Sequence, residues 1–209
     1  MKTRWLIGAA ILWGIWFAPQ AMAETGYVYV GCRGGAGLLD STEMDSILVD
    51  FDPGSVYAGA FGFRVEGGRV EAEIGYRESA VERIELKKKG NVYEPGGKFS
   101  TWSVMVNSIA DFANKSPFAP YIFVGAGAAR LAFDEDLGLG VDFDETEGWF
   151  FAYQGGGGIG WALSDSLRLD VEYRYFSVLN PEFKNTAGAD IDFDFASHNA
   201  LLGLRVFFW

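Results

Sequence analysis

The sequence predicts an all-β fold: one eight-stranded antiparallel up-and-down transmembrane β-barrel occupying residues 24–209. Three observations lead there. Segments of strict apolar/polar alternation recur along the chain, the connections between them are short and long by turns, and the first residues carry an export signal. Side chains of a strand point alternately to opposite sides of a sheet, so each such segment has one apolar and one polar face. In a soluble sandwich the polar face would meet water. In a membrane barrel the apolar face meets lipid and the polar face lines a closed interior.

The start of the chain favours the membrane. Lys2 and Arg4 precede an uncharged apolar run over 5–17, and Pro19 leads into Ala21-Met22-Ala23, a small-residue cleavage signal. Residues 1–23 are therefore expected to be a signal peptide cut before Glu24. The run is shorter than the roughly 20 residues a spanning helix needs. The formal charge of −11 becomes −13 once Lys2 and Arg4 are removed, which excludes nucleic acid as a partner. The single Cys32 cannot form an internal disulfide, and no apolar run lies directly before it as a lipid-anchored cysteine would require. The 28 glycines suit closely curved strands.

The strands follow in order. The first, over 27–38, sets Val28, Val30, Cys32, Ala36 and Leu38 against Tyr27, Tyr29 and Arg33. The second, 56–65, sets Tyr57, Phe61, Phe63 and Val65 against Ala58, Ala60, Gly62 and Arg64, and Glu66-Gly67-Gly68 turns the chain. The third, 69–77, alternates Val70, Ala72, Ile74 and Tyr76 with Arg69, Glu71, Glu73, Gly75 and Arg77. The fourth, 99–112, sets Trp102, Val104 and Val106 against Ser103, Met105, Asn107 and Asp111. The fifth opens at Pro120, where a missing donor is tolerated, and runs to 133. Tyr121, Phe123, Leu131 and Phe133 are expected as its apolar, lipid face, with Val124, Ala126, Ala128 and Arg130 inside.

Strands six and seven form a hairpin over 151–176 around Ser164-Asp165-Ser166. Leu167, Leu169, Val171, Tyr173 and Tyr175 are expected to touch lipid, with Gln154, Asp170, Glu172 and Arg174 inside. The eighth, 196–208, sets Leu202, Leu204, Val206 and Phe208 against Asn199, Gly203, Arg205 and Phe207. Short turns follow the second, fourth and sixth strands. Long polar segments follow the first (39–55), third (79–98), fifth (134–148) and seventh (177–195). Such sorting is how outer-membrane barrels are built, with the short turns periplasmic. No internal repeat is evident beyond this rhythm.

Five segments carry a resemblance: VEAEIGYR at 70–77, PYIFVGAG at 120–127, FAYQGGGG at 151–158, LDVEYRY at 169–175 and SHNALLGLR at 197–205. In this order, behind a signal peptide, the chain resembles the eight-stranded outer-membrane barrels of Gram-negative bacteria, the OmpA/OmpX-like and surface-antigen group. The resemblance implies an outer-membrane location and insertion by the barrel-assembly machinery, which reads an aromatic C-terminal strand. Here the chain ends Phe207-Phe208-Trp209, one residue past the usual pattern. The resemblance implies no OmpA-type peptidoglycan-binding domain.

Eight strands enclose only enough space for side chains to fill. The inward set, Arg33, Arg64, Glu71, Glu73, Arg77, Arg130, Gln154, Asp170, Glu172, Arg174 and Arg205, is expected to form a packed polar plug of ion pairs with a structural role, the rival being a narrow ion path. Asp134, Glu135, Asp136, Asp142, Asp144, Glu145 and Glu147, and further on Glu182, Asp190, Asp192 and Asp194, make two long loops acidic. They lack the spacing of a calcium-binding loop and read as solvated, self-repelling segments. Lys87-Lys88-Lys89 offers charge to lipopolysaccharide phosphates or to solvent. Ser197 and His198 suggest a lipid-A deacylase pair, but neighbours in one strand point apart, and no acidic residue follows. No cofactor, metal or catalytic site is expected. The expected role is a structural or surface protein serving adhesion, envelope integrity or host contact, with outer-membrane lipid, lipopolysaccharide and an extracellular ligand of the loops as partners. The alternatives are a narrow pore for small solutes and, further off, a lipid-A-modifying enzyme.

Overall fold

The structure, a computed structural model, describes residues 28–40, 42–44, 47–86, 91–93, 98–112, 116–133, 148–179, 182–184, 190–192 and 195–208. The expected signal peptide, Lys87-Lys88-Lys89, the acidic stretch 134–147, Asp194 and Trp209 lie outside these residues. The strands are β1 (Val28–Leu39), β2 (Thr42–Met44), β3 (Ile47–Phe51), β4 (Gly54–Val65), β5 (Gly68–Leu86), β6 (Asn91–Tyr93), β7 (Lys98–Asp111), β8 (Phe118–Phe133), β9 (Phe150–Ala162), β10 (Leu167–Val178), β11 (Glu182–Lys184), β12 (Asp190–Asp192) and β13 (Phe195–Phe208).

Eight of these form the wall, in the order β1-β4-β5-β7-β8-β9-β10-β13, every neighbouring pair antiparallel. The ring closes where β1 pairs with β13, from Val28 opposite Phe208 to Leu39 opposite Ser197. Closure matters because an unpaired sheet edge has no water to satisfy it inside a bilayer. Glu66-Gly67 makes a two-residue turn between the paired Val65 and Gly68, and Gly67 adopts a φ of 75° that such a hairpin requires and glycine accepts without strain.

The wall departs from the expected strands chiefly in β5. It was expected to end at Arg77 and continues to Leu86, because β3 pairs along its upper part (Ile47 opposite Leu86) and β6 adds on its other side (Ile84 opposite Tyr93). A strand persists as long as its backbone groups find partners. The first and second long connections are thus partly sheet, standing beyond the wall on the side away from the short turns, and the last contains the β11–β12 ribbon.

The outer face is apolar. Val30, Ile74, Val104, Val106, Ile122, Val124, Val171 and Leu202 all point outward, and Leu202 is 61% exposed. A continuous belt of this kind far exceeds the apolar patches that a water-soluble monomer tolerates, and it suits lipid. Aromatic pairs mark both rims. Phe118 stacks on Trp161 at 5.7 Å beside the short turns, and Tyr76 lies 4.9 Å from Trp102 towards the long connections.

Candidate functional site

The interior is the one place where the fold gathers chemistry among the described residues, and it is filled in three storeys. In the middle, Arg174 holds Glu73 through both nitrogens of its fork and Glu172 through Nε (3.0 Å) and Nη2 (2.6 Å). Arg33 bonds both oxygens of Glu71 at 2.9 Å and Glu73 at 3.1 Å. Gln154 donates to the Asn107 side-chain oxygen (2.7 Å) and to Glu73 (3.2 Å), while Asn107 donates to Glu71 (3.3 Å). Tyr29 donates to Glu71 and Tyr121 to Glu172, at 2.8 and 2.9 Å. These strands bring their charges together because each contributes the inward half of its alternation at one height. Isolated charges could not be buried there, and charge-assisted bonds to several partners each make the burial tolerable.

Arg77 stands above this layer. Its Nη1 donates to the Ser103 hydroxyl (3.0 Å), its guanidinium lies 3.7 Å from the Phe176 ring centroid, and its Nε and Nη2 have no hydrogen-bond partner among the described residues. The three central glutamates thus face three arginines. Over them lies an apolar storey of Phe99, Met105, Ala129, Leu131, Ala152, Phe176, Val178 and Phe195, with Leu39 and Phe150 packed against it. The Phe195 ring is 5.3 Å from Phe99 and 5.9 Å from Phe176. A packed polar plug was expected; among the described residues the end nearest the long connections is instead filled by hydrocarbon.

At the short-turn end, Arg205 grips Asp170 with Nε and Nη2, and Arg69 grips Asp111 at 2.9 and 3.0 Å. The rings of Tyr29 and Tyr121 lie beneath both of these guanidiniums, at 5.0–5.9 Å. Arg64 is half-buried at the mouth, over Phe207.

Of the residues expected inside, Arg33, Glu71, Glu73, Gln154, Glu172 and Arg174 meet in one network, with Arg77 above it. Asp170 and Arg205 form a separate pair, and Arg64 sits at the rim. Arg130 is a correction. It is exposed on the outer face, and Tyr121, Phe123 and Leu131, expected against lipid, are buried inside. Both faces of β8 carry apolar residues, so alternation alone did not orient it. The neighbouring strand did: inward Gly156 and Gly158 on β9 leave room for the Phe123 and Tyr121 rings directly opposite. Sequence reasoning also left Arg69, Asn107, Tyr29 and Asp111 out of the site. All four were legible, since Arg69 shares the face of Glu71, Tyr29 that of Arg33, and Asn107 and Asp111 that of Ser103.

Ser197 is buried inside and His198 faces outward, so the two lie on opposite sides of the wall. His198 Nδ1 is 2.6 Å from the Tyr173 hydroxyl and Nε2 is 3.6 Å from Asp40. The described residues hold no group of three or more His, Cys, Asp or Glu suited to a metal.

Comparison with known proteins agrees with this architecture. The chain is 34% identical over 94 residues to an uncharacterized protein of Brucella abortus, covering 41% of this chain and 33% of that one. It is 29% identical over 115 residues to outer membrane protein PagN of Salmonella typhimurium, covering 50% and 48%. The chain thus spans a third to a half of the length of these curated relatives. Among solved structures, Neisserial surface protein A shares the fold at a TM-score of 0.57 with 17% identity, over 87% of this chain and 98% of that one. The outer membrane protein OprG from Pseudomonas aeruginosa does so at 0.56 with 14% identity, over 87% and 96%. The model of the outer membrane protein beta-barrel domain matches residues 7–205, and the chain belongs to that family, with the outer membrane as the bilayer it spans.

Proposed function

We propose that this barrel is a surface protein whose long loops meet the outside, serving adhesion, envelope integrity or host contact, while its interior serves to hold the wall together. The observation that carries this reading is the filled interior, an ion-paired middle storey capped by Phe99, Phe176 and Phe195. Among the described residues, this plug of side chains fills the middle of the barrel and its end towards the long connections, which supports a closed wall over a pore or a central substrate pocket. It also supports a non-enzymatic role, as does the placement of Ser197 and His198 across the wall from each other. The acidic segments over 134–147 and 182–194 are then the surface offered to a ligand. Export through a signal peptide over 1–23, recognition of the C-terminal strand by the barrel-assembly machinery, and contact with lipopolysaccharide belong to the same reading.

Purified protein in planar bilayers tests it. No stable single-channel current is expected at any voltage the bilayer withstands. A steady, ion-selective current would transfer the protein to the narrow-pore class. Replacing 134–147 by a glycine–serine segment should abolish surface binding by cells that display the protein while leaving the heat-modifiable barrel intact.

A further inference from the structure

The mouth at the short-turn end carries a charge arrangement that the interior network does not account for. Arg64 stands directly opposite Arg69 in the β4–β5 ladder, and Arg168 directly opposite Arg205 in the β10–β13 ladder. Like charges directly across a ladder are destabilising. Among the described residues, Asp111 and Asp170 alone answer these four arginines, and they are engaged by Arg69 and Arg205. Arg64 and Arg168 have no carboxylate within ion-pair distance among the described residues. They converge instead on the ring of Phe207, at 5.2 and 5.5 Å. Buried Nη1 atoms of Arg69 and Arg205 are also left without a hydrogen-bond partner. A cavity of about 310 Å³ opens at this mouth, lined by Arg64, Arg168, Asp111, Gly67, Pro117 and Ala162. The turn carboxylates Glu66 and Asp165 are exposed and form no ion pair with either lining guanidinium.

We propose that this mouth is an anion-binding site that takes a phosphate group between Arg64 and Arg168. Two guanidinium forks brought from β4 and β10, strands separated in the ring by β1 and β13, match an anion with several acceptor oxygens and more than one neighbour, which a phosphate supplies and a carboxylate supplies less well. The cavity has room for a phosphate together with part of the molecule bearing it. Short turns of outer-membrane barrels face the periplasm, so the phosphate comes either from a phospholipid headgroup of the inner leaflet or from a free phosphate there. The site lies at the far end from the loops and does not depend on the proposed surface role.

The test compares the full chain with its Arg64→Gln/Arg168→Gln variant in maltoside micelles, which contain no phosphate. Inorganic phosphate is titrated calorimetrically at constant ionic strength against chloride, and phosphatidylglycerol retention is read by native mass spectrometry after delipidation. Wild type should bind phosphate saturably, or retain one phosphatidylglycerol, at least tenfold more strongly than the variant. The first result identifies a free phosphate and the second a lipid headgroup. The ligand should raise the wild-type unfolding temperature and leave that of the variant unmoved, while the unliganded variant should unfold no lower than wild type, since a repulsion has been removed. If the double variant fails to fold, Arg64→Gln and Arg168→Gln are measured singly. Equal binding by wild type and variant, or an equal response to chloride, overturns the proposal.

Discussion

The ring of Tyr121 occupies the space that a side chain at Gly158 would need. The two residues are directly opposite in the β8–β9 ladder, and a Cβ on Gly158 would stand 2.7 Å from the ring and 2.5 Å from the Val171 carbonyl oxygen. Tyr121 passes over the glycine to donate to Glu172, which faces Gly158 from the next strand. Half a barrel away, Tyr29 passes over Gly62 to Glu71 in the same manner. Two tyrosine–glycine–glutamate rungs, on β1-β4-β5 and on β8-β9-β10, therefore position two of the three central carboxylates.

Gly158→Ala should destabilise the barrel by about 1–3 kcal/mol, the usual cost of overpacking a close contact. Gly59→Ala is the control, since a Cβ there meets nothing within 4 Å. Urea unfolding in lipid vesicles measures both. Equal stability of the two variants would remove the rung as a determinant of the fold.

Arg174→Leu leaves Glu73 and Glu172 buried and short of their main partner. Removing one side of a buried ion pair costs about 3–5 kcal/mol, enough to reduce the refolding yield as well as the unfolding midpoint. Arg130→Leu, on the outer face, should change stability little. The contrast between two arginines expected together inside is read from the same unfolding curves.

Leu202 sits outward near the middle of β13, opposite Val171 on β10. Leu202→Arg should cost about 2–4 kcal/mol in a bilayer, the penalty for arginine at the midplane of a barrel wall. A variant as stable in lipid as wild type would contradict the assignment of this face.

Cys32 is exposed on the lipid side of β1. A membrane-impermeant maleimide should fail to label the protein in vesicles and should label it fully after unfolding in urea. Rapid labelling of the folded, lipid-embedded protein would place β1 in the opposite orientation.

The wall was legible from the residues. Alternation located all eight of its strands, and the sorted connections ordered them, because burying one face in lipid and the other in a closed interior imposes a period of two on every strand. Where each strand pairs polar with apolar positions, as in β10, the faces were legible too. Three things required the folded chain. The orientation of β8 depended on glycines of β9 that only the register sets opposite Tyr121 and Phe123. The two tyrosine rungs escaped notice as a repeat because loops of unequal length separate their members along the chain. The division of the interior into an apolar cap, an ion-paired middle and an arginine-rich mouth depended on the relative heights of strands, which pairing decides and the pattern within any one strand does not contain.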